Sequence, residues 1–164
     1  MSLGHEWDMY YLGLARYAAR KSKDPSTKCG CVLARPDKRP ISIGFNGFPQ
    51  RLYDSESLLN DREEKYKRII HAEMNALIFA KSDLSGAICY TWPFAPCDRC
   101  AVMLIQAGIE AAVFPWLLNG PEVYAYTTNP GFWAKSQEAV TELFLSARVA
   151  TKAYPMTLVQ KETM

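Results

Sequence analysis

Histidine is almost missing from this chain: of 164 residues, only His5 and His71 carry an imidazole. Chemistry that needs an imidazole therefore has two places to be. No apolar run approaches the ~20 residues that a membrane-spanning helix requires, and no export-signal pattern opens the chain, so a cytoplasmic protein without a membrane partner is expected. An excess of charge is lacking too. Nineteen Lys and Arg face 17 Asp and Glu, a net charge of +2. That is not the basic surplus of a dedicated nucleic-acid binder, so nucleic acid is not the expected partner, whereas a small anionic molecule is easily accommodated. The five cysteines are an odd number and do not make a disulfide framework. Repeats, linkers and low-complexity stretches are absent as well. With 49% hydrophobic residues, the chain has enough apolar surface for one core. A single domain over residues 1–164 is expected, its core at about 6–154 and a peripheral tail at 155–164.

What is present is concentrated in two short stretches, His71-Ala72-Glu73 and Pro96-Cys97-Asp98-Arg99-Cys100. His71, Cys97 and Cys100 offer one imidazole and two thiolates, a donor set of the right softness for tetrahedral zinc. Three protein ligands leave a fourth position for water, the composition of a catalytic site. Glu73 follows the histidine too closely to be a comfortable fourth ligand, yet stands where a carboxylate can act on that water. An H-x-E followed by P-C-x-x-C is the signature of zinc nucleobase deaminases, with the glutamate as acid/base. A closed structural zinc site would need a fourth ligand elsewhere, and a thiol redox pair at Cys97 and Cys100 would leave His71 and Glu73 unexplained. Cys29, Cys31 and Cys89 read as small buried hydrophobes.

Helical spacing of Trp7, Tyr10, Tyr11, Leu14 and Tyr17 predicts a first helix over 6–21. Strands follow at 28–35 and 40–45, joined by a Pro36-Asp37-Lys38 turn into a hairpin. The polar stretch 50–70 holds a short helix from about Asp61, with Glu63–Lys67 and Glu64–Arg68 pairs at i,i+4. Arg51, Lys65, Lys67 and Arg68 are all available to a phosphate. A helix at 71–81, a strand at 87–91, a helix at 97–107 and a strand at 109–115 come next, then a loop at 116–128, a helix at 132–148 and a strand at 149–154. Cys97 and Cys100 share a helix face at i,i+3, and a helix N-terminus lowers thiol pKa values. The alternation predicts one α/β domain with helices on a partly parallel sheet.

Ser22-Lys23-Asp24-Pro25-Ser26-Thr27-Lys28 with Gly30, Gly44-Phe45-Asn46-Gly47-Phe48-Pro49, His71-Ala72-Glu73-Met74-Asn75-Ala76, Pro96-Cys97-Asp98-Arg99-Cys100 and Ile105-Gln106-Ala107-Gly108-Ile109 together resemble the deoxycytidylate (dCMP) deaminase family of the zinc-dependent cytidine deaminases. The resemblance implies a three-layer α/β/α cytidine deaminase-like fold with a mixed five-stranded sheet, one zinc ion per subunit and a homo-oligomer. It implies hydrolysis of dCMP to dUMP and ammonia, and dCTP and dTTP as effectors. Glu73 would carry the proton from water to the pyrimidine ring nitrogen and then to the departing amine. Asn46 would bond the sugar, the backbone N–H near Ala72 would orient the ring, and Lys28 is the first candidate for the phosphate. Phe48, Trp92 and Phe94 are candidate walls for the base. Two features depart from the family pattern. Trp92-Pro93-Phe94-Ala95 stands between Thr91 and Pro96 where two residues are usual, and 50–70 lacks the Cys and His that some members use for a second zinc. Deaminases of another nucleoside, a base or a tRNA adenosine share the core motif, and a non-catalytic zinc-containing nucleotide-binding module would share the ligands without needing Glu73.

Overall fold

The computed structural model describes residues 2–116 and 130–163. The chain runs α1 (His5–Ala19), β1 (Gly30–Ala34), β2 (Pro40–Phe45), α2 (Glu56–Asn60), α3 (Arg62–Arg68), α4 (Ala72–Ala80), β3 (Ile88–Trp92), α5 (Asp98–Gln106), β4 (Ala111–Trp116), α6 (Pro130–Ser146), β5 (Ala150–Pro155) and α7 (Met156–Glu162). The five strands form one mixed sheet in the order β2-β1-β3-β4-β5. β1 is antiparallel to both β2 and β3, while β3–β4 and β4–β5 are parallel. The parallel pairs are those joined through α5 and α6, because a parallel connection needs a crossover long enough to hold a helix.

Strand alternation divides the core into two. Val32, Ala34, Ile88, Tyr90 and Val113 point to the face covered by α1 and α7. Cys31, Leu33, Cys89 and Ala112 point to the face covered by α4, α5 and α6. β1 and β3 are buried along their whole length, which is why they read as apolar runs rather than as alternating strands. The three-layer α/β/α arrangement and the mixed sheet agree with expectation.

Two glycines permit close approach of backbone to backbone. A Cβ on Gly30 would stand 1.9 Å from the Ala15 carbonyl, and one on Gly44 would stand 2.2 Å from the Ala72 carbonyl. Gly44 thus lets the first turn of α4, with His71 and Glu73 at its start, lie directly on β2.

Some expectations are corrected. The tail is not peripheral: α7 buries Met156 and Val159 in the α1 face of the core, and Arg16 holds its end through the carbonyls of Gln160 and Thr163. Seven residues carrying two apolar anchors are too few to show helical periodicity. α2 was hidden in the polar stretch for the same reason; its N-cap is Ser55, whose hydroxyl accepts the Leu58 N–H. α1 ends at Ala19, short of the expected 21. The expected loop at 116–128 lies outside the described residues except for Trp116, which closes β4. Among the described residues, no helix is long and apolar enough to cross a membrane.

Candidate active site

α4 and α5 begin side by side at the end of the sheet, and the residues that open them are His71 and Cys97. Each sits at the N-cap position, and neither side chain caps its own helix. That is unusual for the position where a side chain normally accepts a helix N–H. Instead they turn toward each other. His71 Nδ1 lies 3.4 Å from Cys97 Sγ and 3.4 Å from Cys100 Sγ, and the three ligand atoms lie within 4.8 Å of one another. The thiols are buried and the imidazole is at the open side. Hydrogen bonding from Cys100, then from His71, draws the Cys97 thiol down to about 4, against the effect of its burial. The bond to Cys97 pushes His71 up to about 9. One imidazole and two thiols converging on a single point fit a tetrahedral zinc with one position left for a non-protein ligand.

Glu73 stands one residue into α4 and is buried. Burial pushes its carboxyl above the ordinary range, against the pull of His71. It shares a cavity of about 440 Å³ with His71 and Cys97. The opposite wall is the loop between α1 and β1, and its organiser is Asp24. Asp24 Oδ1 accepts Ser26 N–H at 2.8 Å and Lys65 Nζ at 2.9 Å. Lys65 also reaches Ser26 Oγ at 2.8 Å. Cys29 lines the same cavity, its thiol pushed up by burial and then by Glu73.

The cavity collects some of the residues singled out in the sequence and leaves others aside. Asn46 lines it, with its amide held on both sides: Oδ1 accepts Cys29 N–H at 2.8 Å, and Nδ2 donates to the Thr27 carbonyl at 2.9 Å and to Asp24 Oδ2 at 3.3 Å. Both amide protons are therefore engaged, and one oxygen lone pair is left. Ala72 is fully buried at the first position of α4. Lys28 is not in this cavity. Its ammonium donates to the Ser22 carbonyl at 2.7 Å, and it lines an adjoining hollow beside Arg16 and Arg20, which shares Asp24, Ser26, Thr27 and Trp92 with the cavity. The cations that line the Glu73 cavity are Arg62, Lys65 and Arg99. Trp92 and Phe94 line it as expected, whereas Phe48 belongs to another hollow, beside Phe45 and Ile78. Sequence reasoning missed Trp133, which enters the cavity from α6; nothing local distinguishes it from a core tryptophan. Asp24 stood within the quoted motif, but its bond to Lys65 spans chain positions too distant for pattern reading.

The family described as the cytidine and deoxycytidylate deaminase zinc-binding region matches residues 5–115. The chain belongs to this family, and its metal is zinc. A curated relative from Aliivibrio fischeri, an uncharacterized deaminase in the luxG 3′ region, is 40% identical over 110 residues, covering 67% of this chain and 73% of its own. The deoxycytidylate deaminase of Mus musculus is 35% identical over 115 residues, covering 66% of this chain. This chain spans only 64% of the mouse protein's length. Among solved structures, the dCMP deaminase of cyanophage S-TIM5 in complex with dCMP and dUMP matches 92% of this chain and 98% of its own, with a TM-score of 0.66 at 20% identity. At that identity the match shows the fold.

Proposed function

We propose that this protein hydrolytically deaminates a cytosine deoxyribonucleotide, dCMP, to dUMP and ammonia. The observation that carries the reading is the convergence of His71, Cys97 and Cys100 at a cavity that also holds the buried Glu73. The names of the curated deoxycytidylate deaminases and the dCMP/dUMP complex of the cyanophage enzyme support the choice of substrate. His71, Cys97 and Cys100 would hold the zinc, which would supply Lewis acidity and lower the pKa of water. Glu73 moves the protons. It takes one from the attacking water and delivers it to the ring nitrogen beside C4, then takes the second water proton from the oxygen now on C4 and delivers it to the exocyclic amine. Oxygen adds to C4 and the C4–N bond breaks, so one water is consumed and one ammonia leaves. A carboxylate buried beside the ligands is placed to accept a proton and to return it.

The backbone N–H near Ala72, at the start of α4, is the candidate for orienting the ring, because a helix N-terminus favours an electron-rich group. Asn46 keeps one lone pair for a sugar hydroxyl while it braces the Thr27–Cys29 backbone. Arg62 and Arg99, exposed where they line the cavity, join Lys28 of the adjoining hollow as charges available to a phosphate. Ile43, Phe45, Ile78 and Phe79 form an exposed apolar face on β2 and α4, which supports a homo-oligomer. The effectors dCTP and dTTP and a cytoplasmic location remain part of the same reading.

The test is ammonia release from dCMP, CMP, deoxycytidine, dCTP, dAMP, dGMP and guanine, with zinc measured on the same sample. Turnover confined to dCMP with about one zinc per chain is the expected result. Full zinc with turnover of none of them would overturn it.

A further inference from the structure

α6 lies beyond the family's matched stretch, residues 5–115, yet it is fastened to the start of α5, where Cys97 and Cys100 stand. The buried Ser136 hydroxyl accepts Asp98 N–H at 3.2 Å and donates to Asp98 Oδ1 at 3.3 Å. Gln137 Nε2 donates to the Pro96 carbonyl at 3.4 Å. One turn earlier, the Trp133 indole packs on the Phe94 ring with centroids 4.1 Å apart and planes 46° apart. Phe94 is fixed in turn, because its carbonyl accepts the Thr91 hydroxyl at 2.7 Å. Both rings line the cavity that holds Glu73; neither Ser136 nor Gln137 does. What those two residues fix is the place where Trp133 stands.

We propose that Trp133, set against Phe94, is a substrate-binding residue on which the base of the nucleotide stacks. This rests on the deaminase reading above. A ring that reacts at Glu73 must lie in this cavity. The cavity's charged groups enter from other elements: Asp24 from the loop after α1, Arg62 and Lys65 from α3, Glu73 from α4, Asp98 and Arg99 from α5. Its apolar lining is Tyr66 and Ile69, then Trp92, Phe94 and Ala95 from the lengthened segment between Thr91 and Pro96, and Trp133 from α6; of these, Phe94 and Trp133 are the two rings packed on each other. A base offers a flat π-face to such a wall, and the stacking holds substrate and transition state alike because the reaction leaves most of the ring face in place. The contact should therefore appear in KM more than in kcat.

The test uses the full-length, zinc-loaded protein. W133L should raise KM for dCMP at least about 10-fold, the scale of one base–aromatic stack, with a smaller change in kcat and unchanged zinc. W133F, which keeps an aromatic face, should undo most of the KM rise seen in W133L. S136A, which loosens α6 without touching the cavity, should shift KM in the same direction by less. A W133L protein that binds zinc and keeps a wild-type KM overturns the proposal, as does a fall in kcat at constant KM. Binding of dUMP, followed by quenching of tryptophan emission, separates this proposal from the choice of reaction. If the wild type deaminates nothing but dUMP still quenches it, and W133F loses part of that quench, the wall stands without the reaction. Equal quenching in both proteins, or none in either, removes the wall.

Discussion

Lys65 and Asp24 form an ion pair at 2.9 Å with side chains only 4% and 7% exposed, although they lie on α3 and in the loop after α1. The same carboxylate holds Ser26 N–H and the Asn46 amide, so one buried charge organises the wall that faces the zinc ligands. Removing only the lysine leaves that charge without its partner. K65M should destabilise the fold by about 3–5 kcal/mol, and the K65M/D24N double variant should recover part of the loss. Urea unfolding of the four proteins of the cycle reads this directly. Additive losses would mean that the two groups do not depend on each other.

Glu73 is a buried carboxylate that lines the cavity beside the ligands without belonging to them. E73Q keeps the shape and hydrogen-bonding size of the side chain and loses only its basicity. It should lower kcat by about 10²–10⁴-fold, with zinc content unchanged. Steady-state kinetics on metal-analysed protein checks both parts. Near-wild-type kcat would remove Glu73 from the proton path.

The two kinds of cysteine should separate cleanly. Cys97 and Cys100 converge on His71, whereas Cys31 and Cys89 touch each other in the core with sulfurs 3.6 Å apart. C97S and C100S should lose zinc on dialysis against a chelator that leaves the wild type loaded. C31S should retain it, since a serine there alters packing and no ligand. Zinc retained by C97S would place the metal elsewhere.

The ligands could be read in the sequence because each metal motif lies at the start of its own helix, so that short-range spacing encodes the donor geometry. The sheet could be read because β1 and β3 are buried on both faces and stand out as apolar runs. The opposite wall could not. Asp24 and Lys65, or Phe94 and Trp133, are joined only by tertiary packing, which leaves no periodic trace. Which side of the wall a cation such as Lys28 takes was hidden for a related reason: its neighbour Cys29 lines the cavity, while Lys28 lines the adjoining hollow.

α7 shows how much a short element can matter. Met156 and Val159 are 5% and 0% exposed. Burying such side chains contributes about 1.5–3 kcal/mol each, a large share of the ~5–15 kcal/mol of a typical domain. Ending the chain after Pro155 should therefore lower Tm by at least about 6 °C, and V159D should do so without shortening the chain. Differential scanning calorimetry checks both. A Tm within a degree or two of wild type would return the tail to the periphery.

On the α1 face of the sheet, Asp8 is fully buried and accepts three bonds, from Tyr90 Oη at 3.0 Å, Lys152 Nζ at 2.9 Å and Tyr154 Oη at 2.8 Å. Burial pushes both phenols up, with Asp8 adding to it, and the bonds to Tyr154 and then Asp8 push Lys152 up. Each group holds its proton more tightly in the folded chain than in the unfolded one. Their contribution to stability is complete below the ordinary phenol and ammonium values, about 10. It is lost as pH rises from there toward the raised values, by up to about 1.4 kcal/mol per pH unit for each group that titrates. Y90F should start about 1 kcal/mol less stable at pH 8, having lost one hydrogen bond. Above about pH 10 its stability should fall less steeply than that of the wild type, because one proton fewer is released on unfolding. Urea unfolding at a series of pH values from 8 to 11 measures both slopes, and equal slopes would show that the Tyr90 phenol is not held by this cluster.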